Sequence, residues 1–187
     1  MVSHDKRTQL TRRALLDAAR ALFAERGYAD VAVTEIARGA GVTTGALYHQ
    51  FGSKASLFRA VYAELVQAVW LRVLEARTGE PPSVLGDCEA YLDACADPAF
   101  DRITIEGPAV IGWDQVLDEA QAMIELSLTA ARERGEIADV PIGAVARMLA
   151  AALKEAAVMI AVAEDPARAR ADARETARRL VSGLLGP

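Results

Sequence analysis

Residues 33–54 read VTEIARGAGVTTGALYHQFGSK. Thr34 is a good N-cap, so a short helix is expected to follow it and to end before Gly41. Ile36 and Ala37 face inward, and Ala37 is small enough to let a second helix cross closely. Gly41 supplies the turn, where a positive φ costs little. Val42 and Leu47 plug the junction. A second short helix spans about Thr44 to Gln50, and Gly52 and Ser53 break and recap the chain. Two short helices joined by such a turn form a helix-turn-helix, whose second helix can lie in a DNA major groove. That second helix presents Thr43, Thr44, Gly45, Ala46, Tyr48 and His49, small and polar groups suited to close approach. Threonine can hydrogen-bond base edges, and threonine or alanine methyls can touch thymine methyls. Lys54 adds a cation beside helix N-terminal N–H groups, a natural phosphate clamp.

Outward from this stretch the chain reads as helix throughout. The first helix runs from about Thr8 to Arg26, with Leu15, Ala19, Leu22 and Phe23 on one face and Gly27 as its stop. A long helix from Lys54 carries Leu57, Val61, Leu65, Val69 and Val73 in one apolar stripe. After a loop at Gly79-Pro81-Pro82, a fifth helix covers about Ser83 to Ala96. Asp97-Pro98, a cap followed by proline, opens a sixth, which Gly107-Pro108 is expected to interrupt. Further helices span about Trp113 to Arg134, Pro141 to Ala163 and, from Asp165-Pro166, to Leu185. The expectation is an all-α chain of about nine helices. Residues 1–53 form a three-helix N-terminal domain, and residues 54–187 a larger helical domain, with the fourth helix bridging both.

The chain has 187 residues, 52% of them hydrophobic and 25% charged, the balance of a soluble globular protein. The longest apolar run, Ala156 to Ala163, is less than half of the roughly 20 residues a membrane span needs. The polar N-terminus lacks the apolar core of a signal peptide. With two cysteines, this points to the reducing cytoplasm. Net charge is −5, which by itself argues against a nucleic-acid partner. The distribution reverses that. Residues 1–60 hold nine basic and five acidic residues, a net of +4, and the remainder carries −9. A basic head on an acidic body flags a polyanion-binding module.

With A-x-x-L-F-x-x-x-G-Y (Ala19 to Tyr28) ahead of V-T-E-I-A-x-x-A-G-V-T-x-G-A-L-Y-x-x-F-x-S-K (Val33 to Lys54), the first 60 residues resemble the DNA-binding domain of the TetR family of bacterial transcriptional regulators. The resemblance implies a sequence-specific DNA-binding regulator: a ligand-responsive repressor acting as a homodimer on a palindromic double-stranded operator. It implies that Thr34 binds a phosphate, that Thr43, Thr44, Gly45 and Ala46 face bases or backbone, and that Tyr48, His49 and Lys54 contact phosphates. Leu47 and Phe51 match structural positions. Position 35 departs from the pattern: some members place a base-reading arginine there, and Glu35 either accepts from cytosine or faces solvent. Lys6, Arg7, Arg12 and Arg13 form either a basic arm or exposed, screened charge.

The resemblance also places an effector pocket within helices four to seven. Its candidates are Val66, Trp70, Leu74, Cys88, Tyr91, Cys95, Ile103, Trp113, Leu117 and Met123. Dimerisation falls on the last two helices, with Met148, Ala152, Met159, Leu180 and Leu184 as interface candidates. The Pro141 helix is apolar nearly all round, which either a monomer core or a subunit interface would explain. Cys88 and Cys95 lie two helical turns apart, roughly 10.5 Å, too far for a disulfide within the helix. No HExxH, GxSxG or P-loop pattern is present, and the histidines are His4 and His49 alone. Neither an enzyme, a zinc site nor a cofactor is expected. The alternative reading is a ligand-binding or protein-recruiting helical module with weak or lost DNA binding.

Overall fold

The computed structural model describes residues 2–77, 83–95 and 98–184, with the side chains at 2–5, 98–101, 119 and 184 left out. Among them are nine helices and no strand: α1 (Val2–Arg26), α2 (Val33–Gly39), α3 (Thr44–Phe51), α4 (Lys54–Ala76), α5 (Val84–Ala94), α6 (Pro98–Ile111), α7 (Trp113–Glu133), α8 (Ile142–Val162) and α9 (Pro166–Leu184). Asp97 and the loop at 79–82 lie outside the described residues.

Helix ends follow local chemistry. Gly27, Gly41 and Gly135 hold φ of 83°, 66° and 72° behind α1, α2 and α7. After α2, the Gly41 N–H donates to the Arg38 carbonyl (3.1 Å) and the Val42 N–H to the Ala37 carbonyl (2.9 Å). This is the Schellman pattern that only a left-handed residue closes cheaply. Ser53 caps α4 by accepting from the Ser56 N–H at 3.0 Å. Asp165 caps α9 by accepting from the Arg168 N–H at 3.0 Å.

Two expectations are corrected. The N-cap of α2 is Ala32, not Thr34. Glu35, at the third helical position, folds back and accepts from the Ala32 N–H at 2.9 Å, so capping leaves the Thr34 hydroxyl unused. Nor does Gly107-Pro108 break α6. Proline removes one helical donor, yet the Gly112 N–H still donates to the Pro108 carbonyl at 3.1 Å. The reason is tertiary: a Cβ on Gly107 would lie 2.6 Å from the Tyr62 ring. The bare backbone therefore seats directly on α4, and that packing offsets the lost bond.

The head is built from α1, α2, α3 and the start of α4. Leu15, Ala19, Phe23, Ile36, Leu47, Leu57 and Phe58 are all fully buried there. Phe23 and Tyr28 both meet the Phe58 ring at 5.2 Å, edge-on. In the body, α4 packs on α5 and α6, α7 on α8, and α9 on α5 and α8. Beyond its expected stripe, α4 also buries Phe58, Tyr62, Val66 and Trp70, because helices cover it on two sides.

A buried cation lies in this apolar body. Lys154 of α8 is 3% exposed, and its Nζ donates to Tyr62 Oη at 3.0 Å. Burial pushes the ammonium down to about 8. Between that value and the ordinary lysine range the unfolded chain binds more protons than the folded one, so stability rises with pH there. Lys154→Met should abolish this slope. Urea unfolding of both proteins at pH 7.5 to 10 checks it: their stability difference should change steadily across the window.

Candidate nucleic-acid interface and effector domain

The turn after α2 sets the angle of α3, and Leu47, fully buried, pins α3 to the head core. Thr43 is its N-cap, its hydroxyl accepting from the Ala46 N–H at 3.1 Å. What then faces outward is Thr43, Gly45, Tyr48 and His49, with Thr44 and Ala46 half-buried beside them. Tyr48 is 50% exposed, high for an aromatic side chain. Thr34 is exposed at the start of α2. The structure thus brings the candidates on α2 and α3 to the surface of one small domain.

Lys54 occupies a different geometry from an extended clamp. Its Nζ sits 4.3 Å from the Tyr28 ring centroid and 3.5 Å from the Ala29 carbonyl oxygen. Partial desolvation lowers its pKa, against Asp30 and Glu106, which raise it. The Glu35 carboxylate is partly exposed but already engaged. It takes Arg26 Nη1 at 2.8 Å and Nη2 at 3.2 Å. That hydrogen-bonded pair, then the Ala32 N–H, hold its carboxyl down at about 2. The basic N-terminal residues are helical rather than an extended arm. Arg12 lies 4.5 Å over the Phe51 ring. Arg13 pairs with Asp17 at 2.8 Å and Glu64 at 3.3 Å, while Lys6 and Arg7 are exposed.

Two residues of α6 join head to body. Glu106 of α6 accepts from the Tyr28 N–H, and Gly27 admits it: a Cβ there would meet the Glu106 carboxylate. Arg102, one turn earlier, donates to the Glu25 carbonyl at 3.1 Å. The sixth helix therefore rests on the corner between α1 and α2. Nothing in the sequence separated Glu106 from other charged helix positions, since its partner is 78 residues away.

Of the effector-pocket candidates, Val66, Trp70, Cys88, Tyr91, Cys95, Ile103 and Leu117 are buried. Burial drives the Cys88 thiol up to about 12 and Tyr91 well above its ordinary value, so both stay neutral. Leu74 and Trp113 differ in burial. They are 42% and 44% exposed, because Leu74 falls on the outer side of the last turn of α4 and Trp113 is the first residue of α7. Trp70 and Met123 meet around a small void of about 10 Å³ shared with Val84, Asp87, Ile124 and Ser127. Cys88 lines a separate cleft of about 500 Å³ between α5, α8 and α9. The interface candidates Ala152, Met159 and Leu180 line that same cleft, and Met148, exposed by 73%, stands on α8 nearby. The side chain of Leu184 lies outside the described residues. No group of three or more His, Cys, Asp or Glu able to hold a metal occurs among the described residues. No helix among them is long and apolar enough to cross a membrane.

Comparison with known proteins agrees with this geometry. Residues 15–61 match the family described as bacterial regulatory proteins, tetR family. Residues 82–184 match the tetracyclin repressor-like C-terminal domain. The A-factor receptor protein of Streptomyces griseus is 33% identical over 68% of this chain and 46% of its own length. The Transposon Tn10 TetC protein of Escherichia coli is 33% identical over 57% and 55%. The chain thus spans about half the length of these curated relatives. A crystal structure of a TetR-family regulator from Pectobacterium atrosepticum, 30% identical, superposes with a TM-score of 0.81 over 97% of both chains. A second, 29% identical, concerns control of antibiotic production by bacterial hormones and covers 94% and 98% with a TM-score of 0.71. The chain belongs to the TetR family of bacterial DNA-binding transcriptional regulators, which are not enzymes.

Proposed function

We propose that this protein is a ligand-responsive repressor that binds a palindromic operator as a homodimer and releases it when a small-molecule effector enters the body. The exposed face of α3 carries the reading: Gly45, Tyr48 and His49 stand clear of a head whose own core is complete. Gly45 and Ala46 permit close approach of the backbone. Thr43 and Thr44 supply groups that can meet base edges, while Thr34, Tyr48 and His49 serve phosphates. Lys54 joins them by swinging off Tyr28 toward the DNA. Glu35 takes no part in base reading, being engaged by Arg26 and Ala32. Residues 1–53 are the DNA-binding unit and residues 54–187 the effector and dimerisation unit, acting in the cytoplasm.

The two recognition helices of a dimer must reach half-sites about 34 Å apart. Met148, Ala152, Met159, Leu180 and Leu184 on α8 and α9 supply the surface. Met159 and Leu180 are 58% and 51% exposed, a cost in water that a four-helix interface would remove. Candidate contacts of the effector are the buried Val66, Trp70, Cys88, Tyr91, Cys95, Ile103 and Leu117, with Met123. The relative named an A-factor receptor supports a response to a bound signal. An effector works only through different affinities for two arrangements. The elements at hand are α4, which belongs to both units, and α6, whose Glu106 and Arg102 hold the head's corner.

The test is binding to the intergenic DNA upstream of its own gene across a salt series. Log affinity should fall steeply with log salt. Lys54→Ala should weaken all sequences alike and reduce the slope by about one per subunit, whereas Thr44→Ala should also alter base preference. Absence of sequence-specific binding would favour the helical module without DNA function. Glu35→Gln should leave base preference unchanged in a binding-site selection. It should also flatten the acid loss of stability between the ordinary glutamate range and pH 2, because the folded-state pKa lies below the unfolded one.

A further inference from the structure

The body holds a buried polar cluster that none of the proposed contacts explains. Asp87 of α5 is 7% exposed. Its Oδ1 accepts from Arg77 Nε at 2.8 Å and its Oδ2 from Arg77 Nη2 at 2.6 Å. The Ser127 hydroxyl on α7 donates to Oδ2 as well. Asp87, Ser127 and Trp70 line the same void of about 10 Å³. Trp70 is more than nine-tenths buried, and its Nε1–H has no hydrogen-bond partner. An indole N–H buried without a partner is destabilising, and such an orphan calls for a partner.

We infer that this void is the polar anchor of the effector site and takes a hydroxyl group on a compact, otherwise apolar molecule. The inference rests on the reading that the chain answers a small molecule. Size and chemistry both select the group. A void of 10 Å³ accommodates roughly one water-sized oxygen. The Trp70 N–H donates only, and Asp87 is a carboxylate whose oxygens each offer more than one lone pair. A hydroxyl accepts from the first and donates to the second. An ether or ketone serves Trp70 alone, and a carboxylate would meet Asp87 with like charge. The apolar remainder of the molecule enters past Met123. Of the residues around the void, this one alone is not buried, and its unbranched side chain moves aside easily. Val84 and Ile124 then provide apolar walls.

Phenol is the probe, with toluene as its isostere lacking the hydroxyl. The chain has two tryptophans, so Trp113→Phe assigns the two indole N–H resonances in a ¹H–¹⁵N spectrum of the full-length protein. Phenol should shift the Trp70 indole resonance saturably and leave that of Trp113 in place. Toluene should bind at least about tenfold more weakly, the worth of one or two hydrogen bonds. Phenol should raise the melting temperature of the wild type but not of Trp70→Phe, which keeps an aromatic body without the N–H. If that variant does not fold, Ser127→Ala, which loosens Asp87, should weaken phenol in the resonance titration. Equal binding of phenol and toluene, or no movement of the Trp70 resonance, overturns the proposal. A Trp70 shift with unchanged affinity for the upstream DNA upholds the hydroxyl site and refutes the ligand-responsive reading instead.

Discussion

The packing of Phe23, Tyr28 and Phe58 is the interaction on which the rest of the molecule depends. Phe23 ends α1, Tyr28 sits in the corner before α2, and Phe58 lies on the first turns of α4. Their rings meet at 5.2 to 5.9 Å. Removing them from water fixes how α1 and α4 cross, and that crossing is the frame on which α2 and α3 are hung. The same corner receives Lys54 over the Tyr28 ring and Glu106 on the Tyr28 N–H. A cation at the start of the shared helix, over the ring, and a carboxylate of the body, on the backbone N–H, thus converge on one residue of the head.

That convergence ties the head to the body. α4 is continuous from head to body, so its tilt cannot change in one without the other. α6 touches the head through Arg102 and Glu106 and α4 through Gly107 against Tyr62. Tyr62 in turn receives the buried Lys154 of α8. A chain of direct contacts therefore links the face on α8 to the corner of the head. Close-packed contacts of this kind have few alternative arrangements.

Charge is distributed to match. The basic head and acidic body keep the whole chain acidic while giving it a preferred orientation toward a polyanion. Much of the body's charge is spent internally. Arg147 spans Asp114 and Asp118 between α8 and α7. Arg174 and Arg178 bind Glu89, and Arg174 also Asp93, between α9 and α5. These pairs are partly exposed and worth little each. Their role is in registering α8 and α9 against the core, which leaves Met148, Met159 and Leu180 on the open side.

The sequence by itself determined the helices, the turn at Gly41 and the residues around α3, because those are local: glycine at positive φ, serine at a cap and apolar spacing act within a few residues. It also carried the division of charge and the family pattern. Tertiary structure decided what depends on distant partners. Thr34 does not cap its helix because the helix already opens at Ala32, and the Glu35 carboxylate is taken up by Arg26. Pro108 fails to end α6 because Gly107 seats on Tyr62. Leu74 and Trp113 look like core residues in sequence but face outward. Asp87, Ser127 and Glu106 carry no local mark of their roles, since each is defined by a partner 40 or more residues away in the chain. Hydrophobic periodicity says which face is buried. Only the assembled packing says what it is buried against, and which polar atoms are left to hold a ligand or another part of the fold.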